Sequence, residues 1–238
     1  MHIEKWVDLK KGGGTVKFRN EWKHEITYSD MLALRARLMT VAKPEEHGVG
    51  GRYEIRSLYF DDIFDTALRE KINGVNVREK FRIRYYEGDT TFIRLEKKSK
   101  INGLCNKVWV SVDKDEVERL IAGDVEWMRN DSRELVRELY LKMKTKGLRP
   151  KTIVDYTRDA FVFPAGNVRV TIDHNIRTGM ASLDFLDFDS VTVSAGDPII
   201  ILEVKWDEYL PDIIRDAVQL DGRHTSAFSK YAACRVYG

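Results

Sequence analysis

The chain has 238 residues, 43% of them hydrophobic, enough for a sizeable core in one large domain or two small ones. Its formal net charge is only +2, which excludes a protein that attracts polyanions through bulk charge; any such attraction must come from local clustering. Cys105 and Cys234 lie far apart without metal-type spacing, which excludes a disulfide framework and fits a reduced, cytoplasmic setting.

In chain order, residues 1–17 read as a flexible lead-in and residues 18–238 as one domain. Gly12-Gly13-Gly14 has no following Lys-Ser/Thr and is no P-loop. Phe18 to Thr27 reads as a strand with Glu21, Lys23 and Glu25 on one parity. Ser29 is the predicted cap of a helix whose apolar positions Met31, Leu32, Leu34, Leu38 and Met39 follow a helical period. Glu45 to Gly51 reads as a loop and Arg52 to Phe60 as a strand. Asn73-Gly74 is a hairpin signal ahead of the strand from Arg78 to Tyr86, and Gly88-Asp89 and Asn102-Gly103 mark further turns. Helices are predicted from Ser111 to near Gly123 and from Asp131 to Lys146, the second closing at Gly147. A strand block at 151–173, an acidic irregular excursion at 179–197, a strand at 199–206 and a helix from Pro211 complete the chain. No apolar run approaches the ~20 residues needed to cross a bilayer, and no secretory segment follows Met1. The sum is an α+β chain, mostly antiparallel, with helices packed outside the sheet.

The strands share one peculiarity. Successive side chains of a strand point to opposite faces, so Arg78, Lys80, Arg82 and Arg84 share one face and Phe81, Ile83 and Tyr85 the other. The same alternation puts Arg94, Glu96 and Lys98 opposite Ile93 and Leu95, and Arg169, Thr171 and Asp173 opposite the flanking valines and Ile172. Glu203 and Lys205 oppose Leu202, Val204 and Trp206; Arg158 is in register with Val154 and Tyr156, and Lys107 precedes Val108-Trp109-Val110. A single strand of this kind is ordinarily a solvated face. Cations ~4 Å apart repel by roughly 4 kcal/mol at an effective dielectric of ~20, and a bound polyanion would reverse that sign. A closed barrel would remove the sheet edges, and its polar lumen would be the functional site.

The ordered series Glu21-x-Lys23, Ser57-Leu58-Tyr59-Phe60-Asp61, Arg82-x-Arg84-x-Tyr86, Leu95-Glu96-x-Lys98, Tyr156-x-Arg158, Val168 to Asp173, Leu202-Glu203-Val204-Lys205 and Ser229-Lys230-Tyr231 resembles the VTC domain. That is the polyphosphate polymerase domain of the vacuolar transporter chaperone family, within the CYTH-like triphosphate tunnel metalloenzymes. The likeness spans about residues 18 to 235. It implies a closed eight-stranded antiparallel β-barrel with a basic lumen, in which a nucleoside triphosphate binds with Mn2+ or Mg2+. The γ-phosphate of ATP would pass to a growing inorganic polyphosphate chain. The matched phosphate ligands would be Lys23, Arg82, Arg84, Lys98, Arg158, Arg169 and Lys205, joined by Lys107 and Lys230. Lys80 and Lys71 lie where family members vary. Glu203 matches the metal-binding glutamate, with Glu96 as a helper. Two features depart from the pattern: His24 follows Lys23 where Tyr is frequent, and the alternating glutamates are reduced to Glu21-x-Lys23-x-Glu25. No SPX domain or transmembrane segment accompanies these residues, and association with a membrane partner is compatible with that.

The residue types suit phosphoryl transfer, which needs charge neutralisation and in-line positioning more than covalent help. Guanidinium groups stay charged and fork onto two phosphate oxygens; lysines act as point charges; a hard divalent cation takes carboxylate oxygens. The alternatives are a tripolyphosphate or nucleoside triphosphate hydrolase in the same tunnel, and a non-catalytic polyphosphate-binding module. Nucleic acid is not expected, because cations outnumber aromatics on the inner face. His24, His174 and His224 have no zinc-type spacing. Trp109, Trp127 and Trp206 read as outer-core packing, with one of them available to stack on a nucleotide base.

Overall fold

A computed structural model of the chain describes residues 5–8, 18–101, 104–220, 222 and 228–236. The strands are β1 (Lys5–Asp8), β2 (Phe18–Ile26), β3 (Lys43–Pro44), β4 (Arg52–Asp61), β5 (Arg78–Tyr86), β6 (Asp89–Ile101), β7 (Leu104–Val112), β8 (Arg149–Phe163), β9 (Val168–Thr178), β10 (Val193–Ser194) and β11 (Ile200–Trp206). The helices are α1 (Tyr28–Val41), α2 (Thr66–Ile72), α3 (Lys114–Ile121), α4 (Glu134–Lys146), α5 (Asp212–Ala217) and α6 (Lys230–Val236). A short 3-10 turn, Glu126–Asn130, leads into α4.

Alternating side chains decide which way the sheet faces. The apolar parity of β5, β6 and β7, with Leu58, Phe60 and Ile153, packs under α3 and α4 through Val117, Leu120, Leu135, Val136 and Leu139. The apolar parity of β9 and β11 packs under α1 and α5 through Met31, Leu34, Leu38 and Ile214. Both main cores therefore lie on the convex side, between sheet and helices, and the charged parity is left to the concave side. Trp22 and Trp206 meet edge-on at 4.7 Å in the second core.

The α+β class, the antiparallel majority and the external helices are as the sequence predicts. The closed eight-stranded barrel needs correction. Among the described residues all strands join one eleven-stranded sheet in the order β10-β9-β11-β2-β1-β7-β6-β5-β4-β8-β3, with ends at β10 and β3. β9 also pairs with β8, so the sheet curls on itself. The extra strands are short pieces that satisfy backbone groups at existing strand edges. β1 lies within the predicted lead-in and joins β2 to β7, in parallel with the latter; residues 9–17 lie outside the described residues, as does the predicted turn Asn102-Gly103.

Other local differences have identifiable causes. The cap of α1 is Thr27, not Ser29: Thr27 and Asp30 form a reciprocal capping box. Leu32 and Met39 lie off the buried stripe of Met31, Leu34 and Leu38 and face solvent. α3 starts after Asp113, whose side chain and Glu116 form another box, while Ser111 belongs to β7. Asn73 caps α2 instead of turning a hairpin. Gly147 closes α4 with φ +66°, as predicted. The 179–197 segment is docked, since Phe185 is fully buried and its carbonyl accepts the Tyr85 hydroxyl at 2.7 Å. Arg56 holds it too, donating to Ser190 Oγ at 2.8 Å and pairing with Asp155 at 2.8 Å.

Leu139 is completely buried beneath α4. Leu139→Ala is expected to lower unfolding free energy by about 2–5 kcal/mol, read from urea denaturation, with the concave face unaltered.

Candidate functional site

The concave side of the sheet surrounds a cavity of about 820 Å³. Strands β2, β4, β5, β6, β7, β8, β9 and β11 each send at least one side chain into it. Every site residue singled out from the sequence lines this space: Lys23, Lys80, Arg82, Arg84, Glu96, Lys98, Lys107, Arg158, Arg169, Glu203, Lys205 and Lys230. Lys71, Arg78, Arg94 and Lys100 line it as well. Residues spread over two hundred positions converge because the period-two alternation runs in phase on every wall.

The lining cations are not left to repel one another. Arg82 Nε donates to Glu96 Oε2 at 2.7 Å, and Lys107 Nζ reaches the other oxygen of that carboxylate at 2.7 Å. Arg158 forks onto Asp173 at 2.6 and 2.8 Å, and Lys230 donates to the same carboxylate at 2.5 Å. Arg169 forks onto Glu45 at 3.0 and 2.8 Å and donates to the Tyr53 hydroxyl at 2.8 Å. Arg84 uses the neutral oxygens of Ser57 and Tyr156 at 3.1 and 2.9 Å. Glu203 pairs with Lys205 and lies 3.8 Å from Lys23, which also meets Glu21 at 3.0 Å. The sequence pattern shows no carboxylate on the face of Arg78 to Arg84; the structure supplies one from the neighbouring strand, since Arg82 and Glu96 are cross-strand partners.

Burial works against each carboxylate, but the cations prevail. Arg82, Arg84 and Lys107 hold Glu96 well below the usual carboxylate range; Arg158 and Lys230 do so for Asp173, and Lys205 and Lys23 for Glu203. Lys80 is different. Burial, aided by Lys98, Arg82 and Lys23, pushes its ammonium down to about 7. Against burial, the charges of Arg82, Lys80 and Arg84 draw the Tyr59 phenol down to about 7. Lys80 Nζ lies 5.4 Å from the Tyr59 ring.

Among the described residues, no three His, Cys, Asp or Glu side chains converge as a ready-made metal site. Glu21 and Glu203 both approach the Lys23 ammonium from neighbouring strands, and Glu21 Oε2 is covered yet has no hydrogen-bond partner. Two carboxylates with an unused oxygen fit a divalent cation that brings its remaining ligands with it. Glu96, the other expected metal ligand, lies between Arg82 and Lys107, as Glu203 lies between Lys205 and Lys23.

Three contributors escape the sequence reading. Glu45 comes from a predicted loop. Tyr59 and Tyr231 stack at 5.0 Å, which brings the start of α6 to the cavity; at 7 residues α6 is too short to show a helical period. Trp109 is 45% exposed beside the cavity, and not packed in the outer core as Trp206 is.

Fold and site together define a protein with one large cavity lined by paired cations and carboxylates. The VTC-domain model matches residues 18–237, and the chain belongs to the VTC-domain family. No curated protein sequence matches. Comparison with solved structures gives likenesses at low identity. A candidate adenylate cyclase from Bacillus halodurans is 14% identical with TM-score 0.47, and 83% of each chain is covered. A conserved hypothetical protein from Pyrococcus furiosus is 11% identical with TM-score 0.41, covering 84% of this chain and 85% of that one. A candidate adenylate cyclase from Vibrio parahaemolyticus is 11% identical with TM-score 0.41, covering 84% and 82%. Likenesses of this size assign no activity. Among the described residues no helix is long and apolar enough to cross a membrane.

Asp173 carries two cations, so its removal strands both. Its folded pKa lies below the unfolded value of ~3.9; its stabilisation is therefore complete above that value and lost as pH falls below it. Asp173→Asn is expected to cost about 3–5 kcal/mol at pH 7, with a smaller difference from the parent at pH 3, both measured by urea denaturation.

Proposed function

We propose that the curled sheet acts as a triphosphate tunnel. In it a nucleoside triphosphate binds with a divalent metal, Mn2+ or Mg2+, and its γ-phosphate moves to an inorganic polyphosphate chain. The observation that carries this reading is the convergence of arginine and lysine from seven strands on one cavity, together with membership of the VTC-domain family.

In this reading Arg82, Arg84, Arg158 and Arg169 bind and orient the phosphates, exchanging bonds to carboxylates and phenols for bonds to phosphate oxygens. Lys23, Lys98 and Lys205, with Lys80, Lys107 and Lys230, supply point charges that leave a chain free to slide. A terminal phosphate oxygen of polyphosphate attacks the γ-phosphorus, the bond to the β-phosphate oxygen breaks, and the nucleoside diphosphate leaves with that electron pair. The nucleophile is already ionised, so no general base is required. Glu203 and Glu21 would hold the metal, which would supply positive charge to neutralise the phosphates. Glu96 then serves to position Arg82 and Lys107. The reduced, cytoplasmic location belongs to the same proposal.

α6 favours a second reading. Ser229 and Lys230 line the cavity and Tyr231 stacks on Tyr59, so this segment takes up space that a long chain would need. A hydrolase releasing free phosphate needs no such space.

Incubation with ATP, Mn2+ and a short polyphosphate primer is expected to give ADP and lengthened chains on a gel. Free phosphate without chain growth would select the hydrolase, and tight binding without turnover a binding module. Arg82→Ala and Arg169→Ala are each expected to weaken tripolyphosphate binding by about 10- to 100-fold, at roughly 1.5–3 kcal/mol for a charged hydrogen-bonding group, with melting temperature retained in Arg169→Ala and lowered in Arg82→Ala, where buried Glu96 loses a partner. Unfolding of both variants would make these side chains structural.

Binding should also depend on pH. Raising pH through about 7 discharges Lys80 and ionises Tyr59, so the cavity loses positive charge. Tripolyphosphate affinity is expected to fall on the order of tenfold between pH 6 and pH 8.5, and Lys80→Met to flatten that profile in calorimetric titrations.

A further inference from the structure

The lumen-facing rows of β5 and β6 change character along the strands. At one end Arg78 faces Lys100 and Lys80 faces Lys98; further along Arg82 faces Glu96, and Arg84 faces Arg94. Beyond that pair the same parity carries Tyr86 and Phe92, both of which line the cavity. The wall thus runs from cations to aromatics. From Arg82 to Tyr86 is four residues, about 13 Å at ~3.3 Å per residue.

At the aromatic end four groups form a cluster. The Arg94 guanidinium lies 4.7 Å from the Phe92 ring, 4.7 Å from the Trp109 ring and 5.6 Å from Tyr86. The Phe92 and Trp109 rings are 6.3 Å apart and nearly perpendicular. Both remain open to solvent, at 41% and 45% exposure, while Trp206 is 6% exposed in the convex core. Arg94 Nε is covered but has no hydrogen-bond partner. A covered, unpaired N–H is a cost that a ligand acceptor would remove. Exposed aromatic faces around a guanidinium, next to a phosphate-suited cavity, are the elements that hold a heteroaromatic base by stacking and cation–π attraction.

We propose that Phe92, Arg94 and Trp109 form the base-binding platform of this cavity. They would take the nucleobase of a nucleoside triphosphate whose phosphates extend inward toward Arg84 and Arg82. This rests on the reading of the cavity as a nucleoside triphosphate site. The platform selects nucleotides over bare phosphate chains, because only a nucleotide presents a ring to it. Stacking tolerates any base; the Arg94 N–H favours one with an acceptor at its edge.

The test compares ATP with inorganic tripolyphosphate, which lacks base and ribose. Dissociation constants are measured by calorimetry for the parent, Trp109→Ala, Phe92→Ala and Trp109→Phe. Trp109→Ala and Phe92→Ala are expected to weaken ATP binding about 5- to 100-fold, the range of ~1–3 kcal/mol per stacked base, while tripolyphosphate affinity stays at the parent value. Trp109→Phe should recover most of the ATP affinity. ATP should quench a tryptophan emission that Trp109→Phe removes, and tripolyphosphate should not. Equal loss of both ligands would make the aromatics structural, and loss of neither would assign them to another surface role; either result overturns the platform while leaving the cavity reading intact. A parent protein that binds neither ligand overturns the cavity reading and the platform together.

Discussion

Three buried carboxylates, Glu96, Asp173 and Glu203, each lie between two cations, and the interior of this protein depends on that arrangement. An inward-facing set of arginines and lysines would otherwise accumulate repulsion on every wall. The carboxylates come from β6, β9 and β11, so the neutralisation is spread around the cavity. Each is expensive to bury, and each remains ionised only because its partners stay within hydrogen-bond reach. The charge balance is thus a property of the assembled sheet, not of any one strand.

This balance also makes the interior exchangeable. An arginine that already forks onto a carboxylate can fork onto a phosphate with little change of rotamer, so the empty site is organised before ligand arrives. Lys80, with its ammonium near neutrality, and Tyr59 beside it are less settled. Their charge state follows what occupies the cavity, and an incoming anion would take up protons there.

Much of this was legible in the sequence, and the reason is geometric. Alternation in Arg78 to Tyr86 or in Val168 to Asp173 tells which side chains share a face, and a period of two leaves little room for error over short spans. The direction of those faces followed from the apolar parity, which needs helices to cover it. Pairing across strands was not legible. That Arg82 meets Glu96, or Arg169 meets Glu45, depends on register and on a loop that carries no periodic signal. The short elements α2, β1, β3, β10 and α6 were missed because tertiary contacts hold them, and local preference in so few residues is weak. Trp109 was read as packed because large aromatics ordinarily are; its exposure reflects where β7 sits relative to the cavity.

The inside-out arrangement of the sheet has a further consequence for how the protein fails. An ordinary barrel keeps its greasy surface inside when a peripheral helix frays. Here α3 and α4 are the lid over a broad aliphatic β-surface, and their detachment would bare that surface to other copies while the strands stay paired. Partial loosening therefore favours self-association over clean refolding, and heat inactivation in concentrated solution should lead to precipitate well before the strands themselves come apart.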